Sequence, residues 1–251
     1  MAGAAVLGRL TWRVSTVTSV RDETGTARTI ALNVPDWPGQ LAGQHVDVRL
    51  TAADGYSAQR SYSIASAPDG DRVELTVQRL ADGEVSPYLA DVLAAGDPLE
   101  LRGPIGGWFV WEPAPTPVLL VAGGSGVVPL MAMIRTRAAA GTGAPFRLVY
   151  SVRGPDDAFY AAELAERQRG DDGLHVAYVY TRTTPPGWSA PPGRIGAGAL
   201  TAPGWTPDRH PAVFVCGPTG FVEATANLLV NAGHDPRSIK TERFGPSGGQ
   251  S

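Results

Sequence analysis

The chain has 251 residues, with 21 Lys and Arg against 24 Asp and Glu for a formal net charge of -3, and it is 43% hydrophobic and 18% charged. That length suits one large or two small domains with a real core, the composition argues against disorder, and the charge gives no footprint for nucleic acid or an anionic membrane. The single cysteine, Cys216, excludes an internal disulfide framework and a cysteine-ligated iron–sulfur cluster or zinc site within the chain.

No apolar run approaches the ~20 residues of a membrane span, and residues 1–10 lack the apolar centre of a secretory signal, so the expected location is the cytoplasm. Strand patterns then follow at 9–20 and 27–34, where Val, Thr and Ile alternate with polar residues around a turn signal at 21–26 (RDETGT). Further strands are expected at 44–50, 59–65, 72–78 and 97–103, which together suggest a small antiparallel barrel. Residues 86–93 (SPYLADVL) read as one short helix with Ser86 as its cap and Pro87 in its first turn.

Three prolines in 112–117 (EPAPTP) favour extended chain and mark a linker. Beyond it the pattern changes. Residues 118–122 (VLLVA) are a continuous apolar run, as in a parallel strand buried on both faces. A helix at 129–139, a strand at 146–151, a helix at 158–169, strands at 174–180 and 212–216, and a helix at 218–231 complete an α/β alternation. The expected organisation is a β-barrel domain at 1–111, a linker at 112–117 and an α/β parallel-sheet domain at 118–251.

Three motifs carry chemistry. Residues 121–129 (VAGGSGVVP) run from a buried strand through Gly123, Gly124 and Gly126 to Pro129 in a helix's first turn. Glycines let the backbone approach a diphosphate, and the helix N-terminus offers N–H groups to anions. Residues 60–66 (RSYSIAS) place Arg60, Tyr62 and Ser63 on one strand. A guanidinium suits phosphate, an aromatic ring suits a flat heterocycle, and a hydroxyl can bond a ring nitrogen. Residues 215–218 (VCGP) end a parallel strand at Cys216, Gly217 and Pro218, where open α/β sheets bind ligands.

In this order and spacing the motifs resemble the ferredoxin–NADP reductase family of flavoproteins, over roughly residues 9–245. The resemblance implies a flavin-binding antiparallel barrel joined to a nucleotide-binding α/β domain. It assigns Arg60 to the flavin phosphate, Tyr62 to stacking on the isoalloxazine, and Ser63 to a hydrogen bond at the flavin N5 edge. Residues 83–86 (GEVS) match a G-x-x-S that contacts the flavin phosphates through Gly83 and Ser86. The turn from Gly123 to Pro129 and the Gly217-Pro218 pair would cradle the pyridine nucleotide, with Cys216 near the nicotinamide. Residues 103–107 (GPIGG) resemble the family's barrel-closing turn. Residues 242–244 (ERF) resemble its closing segment, with Phe244 over the flavin and Glu242 as a proton route. Residues 245–251 continue beyond the aromatic, a departure from the family pattern.

The family majority favours FAD over FMN. Thr181 and Arg182 after the third parallel strand are similar to the pair that holds the 2′-phosphate in NADPH-using members, and Arg153 and Arg194 are further candidates. No carboxylate lies about 20 residues past the glycines, where one would favour NADH. NADP(H) is therefore expected over NAD(H), although Gly196 stands where the family places an aromatic partner. The four histidines show no metal-ligand spacing, so no metal is expected.

The resemblance implies an enzyme that takes hydride from NADPH onto bound FAD. A separate acceptor would follow: a ferredoxin, an oxygenase or molybdenum enzyme, or a small molecule. A reductase of free flavin and a nucleotide-binding redox-sensing subunit are the alternatives.

Overall fold

In the computed structural model, which describes residues 10–245, the first half folds into one six-stranded sheet. Its strands are β1 (Trp12–Thr24), β2 (Ala27–Asn33), β3 (His45–Thr51), β4 (Ser57–Ser63), β5 (Arg72–Gln78) and β6 (Pro98–Ile105), in the order β4-β3-β6-β1-β2-β5. Every pairing is antiparallel. Val17, Ile30, Leu32, Val46, Val48, Leu75, Leu99 and Leu101 are sealed from solvent in its core. The expected turn at 21–26 shortens to two residues, because β1 runs on to Thr24 and absorbs the extra length in register shifts.

The sheet is not closed into a barrel, contrary to the sequence expectation. β4 and β5 are its two edges and share no ladder; they meet at a single bridge between Ile64 and Leu75. The reason is local. The chain turns after Ser63, so the Ile64 N–H reaches Gln44 O (3.0 Å) and only the Ala65 N–H reaches Glu74 O (2.7 Å). The next donor, the Glu74 N–H, is taken by the Ser66 hydroxyl (3.0 Å) instead of a strand carbonyl. The short helix is also smaller than its sequence suggests. It is one π turn at Tyr88–Val92 without a side-chain cap, and Ser86 instead accepts from the Leu80 N–H (3.1 Å).

The second half is a parallel sheet ordered β11-β10-β7-β8-β9. Its strands are β7 (Val118–Gly123), β8 (Phe146–Val152), β9 (Leu174–Tyr180), β10 (Ala212–Pro218) and β11 (Ile239–Phe244). All six residues of β7 are buried, as its apolar run requires. Leu120, Phe146, Leu148 and Tyr150 face α1 (Val127–Ala139) and α2 (Ala161–Gly170), whereas Leu119, Val121, Val213 and Val215 face α3 (Ala197–Leu200) and α4 (Thr219–Asn231). Two packed layers on one central sheet explain why this half lacks the alternation of the first.

β11 is not a free tail. It adds a parallel edge to β10, with Glu242 in register with Cys216 and Phe244 with Pro218. The N-terminal stretch 1–9 and the extension 246–251 lie outside the described residues. Among the described residues no helix is long and apolar enough to cross a membrane.

Candidate active site between the two sheets

Two clefts meet at Phe244. The first, about 400 Å³, is lined by His45, Ser61 and Ser63 from the antiparallel sheet, by Trp108, and by Glu242 and Phe244 from the parallel sheet. The second, about 250 Å³, is lined by Gly123, Gly124, Ser125, Arg153, Thr181 and Pro218, and again by Phe244. Phe244 is 38% exposed and stands between them as a ring that neither sheet encloses.

β4 sets the first group. Its pairing with β3 places Ser63 opposite His45 and Tyr62 opposite Val46. Tyr62 packs half-buried against the sheet core, and burial pushes its phenol up to about 12. Arg60 is exposed and donates to Glu84 (2.6 Å), which also accepts from the Tyr56 hydroxyl (2.8 Å). Those two donors, Tyr56 first, hold the Glu84 carboxyl below its usual range. Arg60 thus already grips an anion at the 83–86 turn. Gly83 lies tight in that turn: a Cβ there would sit 2.7 Å from the Ser86 hydroxyl.

The glycine turn sets the second group. Gly124 has φ +54°, in the left-handed region that favours glycine. Gly126 is tighter still, since a Cβ would lie 2.2 Å from the carbonyl oxygen of Cys216. The turn therefore seats the start of α1 directly on the end of β10. Pro129 is buried within α1, which continues the single 3-10 turn at Gly124–Gly126; the Val127 N–H is bonded to the Gly124 carbonyl, and neither turn carries a side-chain cap.

Cys216 is fully buried behind this junction. Burial first, then the Glu242 carboxyl beside it, pushes the thiol well above its ordinary value. Arg153 and Thr181 line the second cleft at the ends of β8 and β9, laced by a bond from the Thr181 N–H to Val152 O (2.8 Å). Arg182 and Arg194 are exposed and lie outside the lining of either cleft. Arg182 is nevertheless tied to Arg153 through its backbone N–H (2.9 Å).

Several lining residues escape sequence reading. His45 lies among four histidines whose spacing suggests no metal site, and Trp108 follows a glycine pair that reads as a turn. Asp157, in the loop after β8, and Gln78, at the end of β5, line the second cleft. None of them carried a sequence signal; the 63% exposure of the large Trp108 ring shows only in the fold.

Burial pushes the Glu242 carboxyl from 4.5 up to about 7. Such a group holds a proton in the folded chain that it loses in the unfolded one between those values. Its contribution is therefore most favourable below about 4.5 and is lost as pH rises through about 7. Glu242→Gln, always neutral, should gain stability over the parent between pH 5 and pH 8, by roughly 3 kcal/mol at most. Parallel urea midpoints for the two proteins across that range would contradict the buried setting.

The antiparallel and parallel sheets, joined through these clefts, define a two-domain flavin- and pyridine nucleotide-binding oxidoreductase. The chain belongs to the ferredoxin–NADP reductase-like family. Residues 12–110 match the model of the oxidoreductase FAD-binding domain and residues 120–227 that of the oxidoreductase NAD-binding domain. It is 35% identical over 210 residues to ferredoxin–NADP reductase B of Sorangium cellulosum, covering 81% of this chain and 84% of that one. It is 32% identical over 207 residues to the glycine betaine monooxygenase reductase subunit of Chromohalobacter salexigens, covering 81% of this chain but only 55% of the relative. Among solved structures, the cytochrome P450 reductase GcoB of Amycolatopsis superposes with a TM-score of 0.81 at 29% identity, over 98% of this chain and 74% of that one.

Proposed function

We propose that this protein is an FAD-dependent NADPH oxidoreductase that passes electrons to a separate acceptor protein. The observation that carries the reading is the convergence on Phe244 of a cleft holding Ser63 and Glu242 and a cleft holding the glycine turn, Arg153 and Thr181. Residues 1–111 form the flavin unit in this reading, 112–117 the linker and 118–251 the nucleotide unit.

The residues suit both groups. Arg60, already paired with a carboxylate, exchanges it for the flavin diphosphate beside Gly83 and Ser86. Tyr62 supplies the stacking face, and Ser63 donates its hydroxyl at the reacting edge. Gly123, Gly124, Gly126 and Pro129 bring the uncapped start of α1 to the nucleotide's phosphates, with Gly217 and Pro218 on the far side. When bound, FAD supplies the conversion between hydride and single-electron chemistry. Phe244 excludes water from the space between the clefts and moves aside for the nicotinamide. Glu242, titrating near neutrality, holds a proton beside the reacting edge. Cys216 packs the floor.

Arg153 and Thr181 support NADPH over NADH, with Arg182 and Arg194 as outer cations that steer the 2′-phosphate. Arg153→Ala should raise KM for NADPH roughly tenfold, Arg182→Ala by a smaller factor, and neither should move KM for NADH comparably. Equal effects on both nucleotides would remove these residues from phosphate recognition. The acceptor is read from the relatives, among them a monooxygenase reductase subunit and a P450 reductase. An oxygenase or a small ferredoxin-like carrier is the favoured class. Residues 1–111 hold nine Arg against thirteen Asp and Glu, which disfavours a broad basic docking face for an acidic ferredoxin.

A further inference from the structure

We infer that Arg135, a residue outside both clefts, is a positioning residue that fixes the nucleotide turn relative to the flavin strand; the inference rests on the function proposed above. Arg135 lies on α1, the helix that begins at the glycine turn. Its Nη1 donates to Ala65 O (3.0 Å) and to Glu74 Oε2 (2.9 Å), both in the antiparallel sheet unit. Its Nε and Nη2 donate to the two carboxylate oxygens of Glu163 on α2 (3.0 and 2.6 Å). Ala65 is two residues past Ser63 on the same run of chain. One guanidinium therefore ties the strand carrying the N5-side hydroxyl to the helix carrying the phosphate-side turn.

The seam around it is built, not incidental. The Arg135 side chain is 11% exposed and that of Glu74 7%. The Tyr160 ring lies 5.1 Å from the guanidinium carbon. Tyr160 donates its hydroxyl to Thr76 on β5 and its N–H to Glu23 on β1 (3.1 Å). Tyr160 does so from a backbone with φ +58°, a conformation that non-glycine residues adopt rarely. Burying a cation between two carboxylates brings little net stability, because desolvation offsets the attraction, but its geometry admits only one arrangement. A fixed arrangement is what transfer between two separately held groups needs, since a shift of about 1 Å costs up to a hundredfold in rate.

The test uses the full chain loaded with FAD. Arg135→Lys keeps the charge but cannot hold two carboxylates and a carbonyl together; Glu74→Gln keeps the shape but removes the anion on the antiparallel-sheet side. Stopped-flow reduction of bound flavin at saturating NADPH should slow about tenfold in both variants. Flavin content and the NADPH dissociation constant should stay within about twofold of the parent, a split that a merely structural residue would not produce. A reduction rate per bound flavin within twofold of the parent overturns the positioning role. If Arg135→Lys does not fold, Glu74→Gln decides by the same criterion. If NADPH fails to reduce the parent itself, the proposed function falls first and this inference with it.

Discussion

Replacing Ser63 by alanine is expected to slow NADPH-driven reduction of the bound flavin by roughly a hundredfold, with flavin content unchanged. The size follows from what one preorganised donor contributes where charge moves in a water-poor space. Ser63 lines the cleft that also holds Glu242 and Phe244. Its place is fixed by the β3–β4 ladder, in register with His45. Removing the hydroxyl leaves strand, ladder and stacking ring intact, so the loss should fall on the rate of reduction rather than on retention. Rapid-mixing absorbance at the flavin band measures both at once. A rate within twofold of the parent would take Ser63 out of the chemistry.

The second large effect is structural. Gly126→Ala should destabilise the parallel-sheet half by more than about 3 kcal/mol and abolish nucleotide binding at accessible concentrations. The added methyl would stand 2.2 Å from the Cys216 carbonyl oxygen and 2.8 Å from the Gly217 nitrogen, and neither backbone atom can swing away. Gly124→Ala is the matched control. Gly124 has nothing within 4 Å of its would-be Cβ, so its cost is only the left-handed backbone, about 1–2 kcal/mol. Thermal melts of the two variants should therefore separate widely. Similar melting temperatures would show that the turn is not seated on β10 as described.

What the sequence reveals depends on where each residue's partner lies. β7 was legible because a strand buried on both faces must be apolar throughout. The glycine turn was legible because close backbone approach tolerates only glycine. β11 was not, because an edge strand with Lys240, Glu242 and Arg243 looks like a solvated tail; its partner, β10, lies 26 residues upstream at the Cys216–Glu242 pair. Glu242's protonation was equally hidden, since burial comes from the fold and not from its neighbours in sequence. The open edge of the antiparallel sheet turned on one side chain, Ser66, taking a donor that a strand carbonyl would otherwise hold. No alternation pattern records that choice. The motif roles at Arg60, Tyr62 and Ser63 came from resemblance, while the cleft, which Ser63 lines and Arg60 and Tyr62 do not, needed His45, Trp108 and Phe244 brought together from three distant segments.

The proposed function requires that a retained flavin be reduced by NADPH at the junction of the two clefts. Anaerobic absorbance titration of the purified protein, NADPH beside NADH, tests it most directly. The bound flavin spectrum should bleach at about one equivalent of NADPH and need a large excess of NADH. Flavin that neither nucleotide bleaches would contradict the catalytic reading and point to a redox-sensing subunit. Protein that neither purifies with flavin nor retains added FAD would contradict the holoenzyme and point to a reductase of free flavin.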